Sequence, residues 1–252
     1  MHLLLYGPGR LGSAIATAAT AAGWTVTTIG RPPLHGARPA APLADVVVDA
    51  SIGAAVPGNL AHALAAGNRN FVLAATAWEV DEPRVRAMLA EHGATAVVAT
   101  NLSLGAALFL RLVETAAGWY ARAGAFEPSI VEWHRRGKAD RPSGTARALA
   151  RRVVTADPRW AGPETAADVA GTRPMLEVVG VRAGAAPGTH VVTFDAPGEW
   201  VELRLTARDR SAYADGALAA ARWLTADART PGMHPFDAVV DELLDAPLAI
   251  PA

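Results

Sequence analysis

Short apolar runs alternate with amphipathic stretches over the first 105 residues of the chain. The apolar runs at 3–6, 24–30, 44–51, 70–76 and 94–100 predict strands. Between them, as at 54–66, apolar residues recur at helical spacing. Short, continuously apolar strands are typical of a parallel sheet that is covered on both faces. The alternation therefore predicts an α/β fold with a doubly wound parallel sheet.

The pattern changes after a long amphipathic helix that runs to about residue 123. Four more strands, at 129–134, 175–182, 189–195 and 199–207, follow one another with little helix between them. In the last strand apolar and polar residues alternate, which is typical of an antiparallel strand with one exposed face. We predict a second, α+β domain built on an open mixed sheet.

A helix at 212–224 and the tail after it are expected to pack on the first domain again. The first domain would then comprise residues 1–105 and 213–252, and the second residues 106–212. At about 250 residues, a chain of this length suits one large domain or two small ones.

A glycine motif lies between the first predicted strand and the helix that follows it. Gly7, Gly9 and Gly12 have the spacing GxGxxG, with Arg10 and Leu11 inside it. Glycines at these positions permit a tight turn and bring backbone N–H groups close to a pyrophosphate at a helix N-terminus. The motif predicts a Rossmann-type dinucleotide site, although an ordinary glycine-rich turn has the same letters.

The second strand ends where such domains select their cofactor. Arg31 follows it, and no acidic residue is near to accept a ribose hydroxyl. A cation here suits the 2′-phosphate of NADPH, so NADPH is favoured and NADH stays possible. A solvated loop cation is the alternative for Arg31.

Polar residues follow the later strands of the same sheet. Ligands of doubly wound sheets lie beyond the carboxyl ends of the strands. We therefore expect Ser51, Ala75, Thr76 and Asn101 near the cofactor, with a simple strand-end cap as the alternative for each polar one.

Composition excludes several classes of protein. Hydrophobic residues make up 51% of the chain and the net charge is -1, so a packed core is expected and a nucleic-acid partner is not. The chain has no cysteine, and His2, His35, His62 and His92 have no partners at ligand spacing, so no metal is expected. No basic leader or long apolar window is present, which favours a cytoplasmic protein without a membrane partner.

Only one of the 23 lysine and arginine residues is a lysine, Lys138. Arginine has replaced lysine wherever a generic cation suffices, so the exception suggests a site that needs a compact ammonium. Lys138 lies in the segment 132–150, with His134, Arg135 and Arg136 before it and Pro142–Thr145 opening a helix. Cations beside a helix start predict a pocket for a small carboxylate or phosphate.

This segment resembles the dihydrodipicolinate reductase family, which carries E-x-H-H-x-x-K-x-D-x-P-S-G-T. The matching residues here are Glu132, His134, Lys138, Asp140, Pro142, Ser143, Gly144 and Thr145. The loop GPGRLG, the strand end VVVDAS, the segment ATNLSLG and the helix GALAAARWL are similar to family segments as well. Arg182 and His190 fall where the family has similar residues, and for His190 a structural role and a place beside the substrate are both open.

The resemblance implies a homotetrameric reductase with a nucleotide domain and a domain for substrate binding and oligomerisation. The small-molecule substrate would be a cyclic conjugated imine dicarboxylate of the diaminopimelate and lysine pathway. His134 and Lys138 would be catalytic. Arg135, Ser143, Gly144 and Thr145, together with Lys138, would bind the substrate.

Two departures from the family pattern keep other functions open. Arg135 replaces the family's second histidine, and Ala74–Ala77 replaces a G-T-T-G strand end. A reductase of another cyclic imine or amino-acid precursor is the first alternative. A non-catalytic nucleotide-binding module is the second.

Overall fold

The computed structural model describes residues 1–31, 39–162 and 173–245. The chain forms two compact units, one of residues 1–104 and 210–252 and one of residues 105–209. His35, considered above as a metal ligand, lies outside the described residues. No described helix has the length and apolarity that crossing a membrane requires.

In chain order the strands are β1 (His2–Tyr6), β2 (Thr25–Ile29), β3 (Val46–Asp49), β4 (Asn70–Leu73), β5 (Thr95–Val98), β6 (Glu127–His134), β7 (Glu177–Arg182), β8 (Thr189–Ala196), β9 (Glu199–Thr206) and β10 (Gly232–Pro235). The α-helices are α1 (Arg10–Ala21), α2 (Val56–Ala65), α3 (Glu82–Glu91), α4 (Leu104–Ala123), α5 (Gly144–Ala156), α6 (Ser211–Ala226) and α7 (Phe236–Asp245).

The first unit contains a six-stranded parallel sheet in the order β10-β5-β4-β3-β1-β2. The strand order reverses between β1 and β3. Because crossover connections are right-handed, α1 covers the face opposite to α2 and α3. Buried Leu4, Tyr6, Val47, Leu60 and Phe71 belong to one apolar cluster of this unit. The predicted doubly wound, Rossmann-type sheet is confirmed.

Several elements of the first unit are shorter or shifted relative to the sequence prediction. The strand expected at 70–76 ends at Leu73, because the N–H groups of Ala74 and Ala75 both donate to the carbonyl of Asp49. The strand expected at 44–51 ends at Asp49, whose carboxylate accepts the N–H of Ser51. The first helix was expected after Gly12, and this was wrong: α1 begins at Arg10, inside the glycine motif.

The tail returns to the sheet of the first unit, as predicted. The strand β10 pairs with β5 in parallel, with His234 opposite Val97, and α6 contacts both α1 and β4. The sheet therefore contains residues from both ends of the described chain.

The second unit contains a four-stranded mixed sheet in the order β7-β6-β8-β9. The strands β6 and β7 are parallel, whereas β8 runs antiparallel to β6 and to β9. Phe109 of α4 and Leu149 of α5 pack with Ile130, Val192 and Phe194 of the sheet in one apolar cluster. The predicted α+β domain with an open mixed sheet is confirmed, including the alternating exposure along β9.

Candidate active site

The register of the second sheet brings four chemically active side chains together. Glu132 and His134 are two residues apart on β6, so both side chains extend from the face of the sheet that carries Ile130. His190 on β8 lies directly opposite Glu132, and Arg182 on β7 lies directly opposite His134. Three neighbouring strands therefore contribute to one cluster.

Glu132 is fully buried at the centre of this cluster. Its Oε1 accepts the backbone N–H of Ser143 at 2.9 Å and Nη2 of Arg182 at 2.7 Å. Burial alone would raise the pKa of Glu132, but the hydrogen bonds from Ser143 and Arg182 lower it below its ordinary value. Glu132 is therefore ionised at neutral pH.

The two histidines face the other oxygen of the same carboxylate. Nδ1 of His134 lies 3.3 Å from Oε2 of Glu132, and Nδ1 of His190 lies 3.8 Å from it. The rings meet edge to face, with their centroids 5.2 Å apart. Burial lowers the pKa of His134, and it lowers the pKa of His190 to about 4, so both rings are neutral at pH 7.

The loop after β6 carries the predicted anion-binding residues. Nζ of Lys138 forms an ion pair with Oδ1 of Asp140 at 2.7 Å. Arg182 fixes this loop, since it donates to the carbonyl oxygens of both Lys138 and Asp140. Arg135 and Arg136 are exposed. The loop carries four cations, Arg135, Arg136, Lys138 and Arg141, and the carboxylate of Asp140 holds Lys138 in place.

The helix α5 begins as the PSGT letters predict, with Ser143 as its N-cap. The Ser143 hydroxyl accepts the N–H of Ala146 at 3.2 Å, and the residue is buried. Its side chain and its backbone N–H also bond to Glu132, so Ser143 is engaged within the protein. Gly144 is exposed and Thr145 half-buried, and the Gly144 N–H contributes to lowering the pKa of Asp140.

Glu132, His134 and His190 each place one potential metal-ligand atom within 4.8 Å of the others. Two imidazoles and a carboxylate are ligand types for a transition ion. However, the other oxygen of Glu132 is already paired with Arg182, and Lys138 adds positive charge close enough to lower the pKa of His134. The positive charges of Arg182 and Lys138 therefore disfavour a divalent cation between these three ligand atoms.

The glycine loop of the first unit fits a dinucleotide pyrophosphate. A side chain at Gly12 would lie 2.0 Å from the carbonyl oxygen of Gly7, and one at Gly7 would meet the backbone of Ser51 at 2.6 Å. At Gly9, in contrast, the same position has no protein atom within 4 Å. Gly9 is the N-cap of α1 and makes no side-chain cap, so the first N–H groups of α1, at Arg10 and Leu11, have neither an intrahelical acceptor nor a cap from Gly9.

The remaining predicted cofactor residues lie at the carboxyl ends of the strands of the same unit. Ser51 donates to Asp49 at 2.5 Å and accepts from Asn59, and Asn101 accepts the N–H of Ser103. Both side chains therefore serve as strand-end caps. Ala75 is buried beside exposed Thr76.

Two further positions of this unit bear on the cofactor prediction. Arg31 is exposed and lies two residues after the end of β2. Ala77, at the strand end where the family carries glycine, has a φ of 62°, a left-handed conformation that costs an alanine roughly 1 kcal/mol. The backbone therefore keeps a glycine-like conformation at this position although its residue is an alanine.

Sequence reasoning gave no role to Glu132 or Arg182 beyond the family likeness. A signal was available, because Glu132 shares a strand face with apolar Ile130, and a carboxylate on a buried face needs a partner. The identity of that partner was not readable, since Arg182 is 50 residues away and reaches Glu132 through strand pairing.

Comparisons with known proteins show which family the chain is similar to. Residues 105–239 match the family described as dihydrodipicolinate reductase, C-terminus. The 4-hydroxy-tetrahydrodipicolinate reductase of Rhodopirellula baltica is 33% identical over 75% of this chain and 68% of its own length. The enzyme of that name from Archaeoglobus fulgidus is 34% identical over 77% of this chain and 75% of its own length.

A solved structure shows the same fold. The dipicolinate-bound dihydrodipicolinate reductase from Paenisporosarcina sp. aligns with a TM-score of 0.69 at 17% identity, over 93% of this chain and 97% of that one. The family model and the sequence relatives show the family. The chain belongs to the dihydrodipicolinate reductase family and is an NAD(P)H-dependent oxidoreductase.

Proposed function

We propose that the protein is an NADPH-preferring reductase of dihydrodipicolinate, or of its hydrated form 4-hydroxy-tetrahydrodipicolinate, in diaminopimelate and lysine biosynthesis. The observation that carries the proposal is the cluster around Glu132. It holds His134 and Lys138 in place beside the helix start that the family motif predicts. The relatives that are similar to most of this chain are named for this reaction.

His134 is proposed as the proton donor to the reduced ring. An imidazole exchanges protons near neutral pH, which suits a general acid. Burial lowers the pKa of His134 in the free protein, and Lys138 and Arg182 lower it further, against the opposite effect of Glu132. A dicarboxylate substrate brings negative charge next to this ring and raises its pKa again. Substrate binding and protonation of His134 are thereby coupled.

Lys138 and its neighbours are proposed to bind the substrate. Lys138 provides a compact positive charge for the negative charge that develops during reduction. Arg135 is exposed in the same loop and can bind a carboxylate bidentately. Gly144 and Thr145 lie at the start of α5, where Ser143 holds the helix end in position and Asp140 already accepts the Gly144 N–H.

The glycine loop is proposed to hold the nicotinamide cofactor, which supplies the hydride when bound. Gly7 and Gly12 allow the tight turn, and Gly9 with the N–H groups of Arg10 and Leu11 receives the pyrophosphate. Arg31 would bind the 2′-phosphate that distinguishes NADPH. The remaining proposed contacts are Ser51, Ala75, Thr76 and Asn101.

The unit of residues 1–105 and 213–252 would thus bind the nucleotide, and residues 106–212 would bind substrate and form the oligomer. We propose a cytoplasmic homotetramer, as the family likeness implies. The exposed aromatic ring of Trp200 on β9 gives the second sheet an apolar surface for such assembly. Light scattering coupled to size-exclusion chromatography measures the mass and tests the tetramer.

A coupled assay tests the reaction. A synthase, pyruvate and aspartate semialdehyde generate the heterocycle, and oxidation of NADPH or NADH is followed by absorbance after the protein is added. We expect oxidation that depends on the synthase and is faster with NADPH. The variant His134→Asn is the control, since it should bind NADPH and fail to turn over.

If protein that binds NADPH shows no oxidation, the proposed substrate is wrong. Arg135 in place of the family's second histidine then points to another cyclic imine that bears a carboxylate, and a panel of such imines is the next assay.

A further inference from the structure

The centre of the cluster contains three buried polar atoms that face one another. In the described part of the chain, Oε2 of Glu132, Nδ1 of His134 and Nδ1 of His190 are each inaccessible and have no hydrogen-bond partner that meets ordinary geometry. Buried polar atoms in native proteins are nearly always paired, so a group of three calls for an explanation. Nδ1 of His134 lies 3.3 Å from Oε2 and Nδ1 of His190 lies 3.8 Å from it, so the His134 atom is the one within hydrogen-bond distance of this oxygen.

The chemistry of the three atoms defines how they can do so. Glu132 is ionised, so Oε2 is an acceptor with two lone pairs, and a neutral imidazole has one N–H that sits on either Nδ1 or Nε2. Oε2 has no donor other than the two Nδ1 atoms among the described residues. Only the tautomer with the proton on Nδ1 therefore satisfies the carboxylate.

The surroundings of the His134 ring indicate that Nε2, the nitrogen opposite Nδ1, is the reactive atom. Nδ1 of His134 is buried, so the 13% of this side chain that remains accessible lies elsewhere on the ring. Gly188 lies beside Nε2, where a side chain on it would approach to 3.1 Å. The glycine thus leaves Nε2 uncrowded.

We propose that Glu132 and His190 are positioning residues for His134. Glu132 accepts the Nδ1–H of His134 and holds the ring in the tautomer whose Nε2 exchanges a proton with the substrate. His190, whose Nδ1 lies 3.8 Å from the same oxygen, packs edge to face against the His134 ring and supports it. The inference rests on the proposed function in naming His134 as the proton donor.

The proton balance is simple in this arrangement. Nε2 takes up a proton from solvent, and the imidazolium keeps its Nδ1–H on Glu132. When the reduced substrate is protonated, the Nε2–H bond breaks and a bond from that hydrogen to the substrate forms. The ring returns to the neutral tautomer from which it began, so Glu132 never changes its protonation state.

The tautomer can be measured without cofactor or substrate. Long-range proton–nitrogen correlation spectra of the free protein, with His134→Asn to assign the signals, distinguish Nδ1–H from Nε2–H. We expect Nδ1–H at His134 in the wild type and a loss of this preference in Glu132→Gln. An Nε2–H ring in the wild type, or an unchanged ring in the variant, would overturn the proposal.

Two variants should move the basic limb of the kcat–pH profile in opposite directions. The charged groups around His134 are Glu132, Lys138, Asp140 and Arg182, and the neutral ring of His190 also faces it. Glu132→Gln removes the carboxylate and should shift the limb to lower pH by at least about half a unit. It should also cut kcat at least about tenfold.

The companion variant is His190→Leu, which leaves Oε2 to His134 alone and should shift the limb to higher pH. His190→Asn, which keeps an N–H near the position of Nδ1, should shift it less. General loosening of the site would move all variants the same way, and that result would also overturn the proposal. If circular dichroism shows that Glu132→Gln is unfolded, the pH profiles of the two His190 variants still test the proposal.

The two proposals fail separately. A protein that cannot reduce the heterocycle but has Nδ1–H at His134 refutes the proposed function and leaves the arrangement of Glu132 intact. An active protein with Nε2–H at His134 refutes only the role of Glu132.

Discussion

Lys138 forms its ion pair with the residue two positions further along its own loop, Asp140. The two side chains are 29% and 41% accessible, and pairs this exposed add at most about 1 kcal/mol to stability. Asp140 also accepts the N–H of Gly144, so its carboxylate lies at the helix start where we propose a substrate carboxylate. The pair therefore orients an ammonium for a ligand more than it stabilises the fold.

Lys138→Arg should reduce turnover at least about tenfold, equivalent to roughly 1.4 kcal/mol of transition-state stabilisation. The planar, larger guanidinium keeps the charge and the pair with Asp140 but cannot place a compact ammonium at the same point. Steady-state kinetics in the coupled assay give kcat, and NADPH affinity, measured by fluorescence titration, should not change. Arg136→Lys is the matched control on the same loop. Wild-type kcat in Lys138→Arg would show that the ammonium is not required.

Arg31→Asp should weaken NADPH relative to NADH. The substitution replaces a cation suited to a 2′-phosphate with an anion that repels it and can accept a ribose hydroxyl. The ratio of kcat/KM for the two cofactors is the measurement, and it should change at least about tenfold. Arg10→Asp, inside the glycine motif, provides a comparison for a general loss of positive charge. An unchanged ratio in Arg31→Asp would mean that this side chain does not contact the 2′-phosphate.

Gly9→Ala and Gly12→Ala should separate binding from folding. At Gly9 a methyl group enters open space, so the free energy of unfolding should stay within about 0.5 kcal/mol while NADPH affinity falls about tenfold or more. At Gly12 it collides with the Gly7 carbonyl, so unfolding should become easier by about 3 kcal/mol. Urea denaturation gives the free energy of unfolding of each variant, and nucleotide titration gives its NADPH affinity. Normal NADPH binding by folded Gly9→Ala would place the pyrophosphate elsewhere.

Acid should destabilise the second unit through His190. Burial first, and then the neighbouring His134 ring, lower its pKa from 6.5 to about 4 in the folded protein. Between these values the unfolded chain binds more protons, so stability is fully present above pH 6.5 and is lost as the pH falls toward 4. From pH 7 to pH 5 the expected loss is about 2 kcal/mol.

His134, whose pKa is lowered in the same direction, adds to this loss. Urea denaturation at the two pH values measures it, and His190→Asn should retain only the part due to His134. An equal pH dependence in wild type and variant would contradict the assignment to His190.

The strands and the glycine motif were predictable because their signals are local. Buried runs such as Val46–Asp49 and the spacing of Gly7, Gly9 and Gly12 can be read within a dozen residues. The strand ends were less accurate, since Ala74 and Ala75 leave the predicted strand to bond with the carbonyl of Asp49. A local sequence pattern does not indicate which distant hydrogen-bond acceptor ends a strand.

The cluster around Glu132 could be predicted only in part. His134 and Lys138 are close in sequence, and their residue types indicate chemistry. Arg182 and His190 join them through the register of β6 with β7 and β8, and nothing in a single sequence specifies that register. The same limit applies to Ser143. The PSGT segment predicts that a helix starts there, but not that the Ser143 N–H donates a hydrogen bond to Glu132.

The position of β10 affects the order in which the protein can be made. The first unit needs residues on both sides of the second, whereas residues 105–209 form one continuous segment. During synthesis, the second unit can therefore complete its contacts before the first one, although it starts later. Residues 1–104 must wait for α6 and β10, with the edge of β5 unpaired, until about residue 235 has left the ribosome.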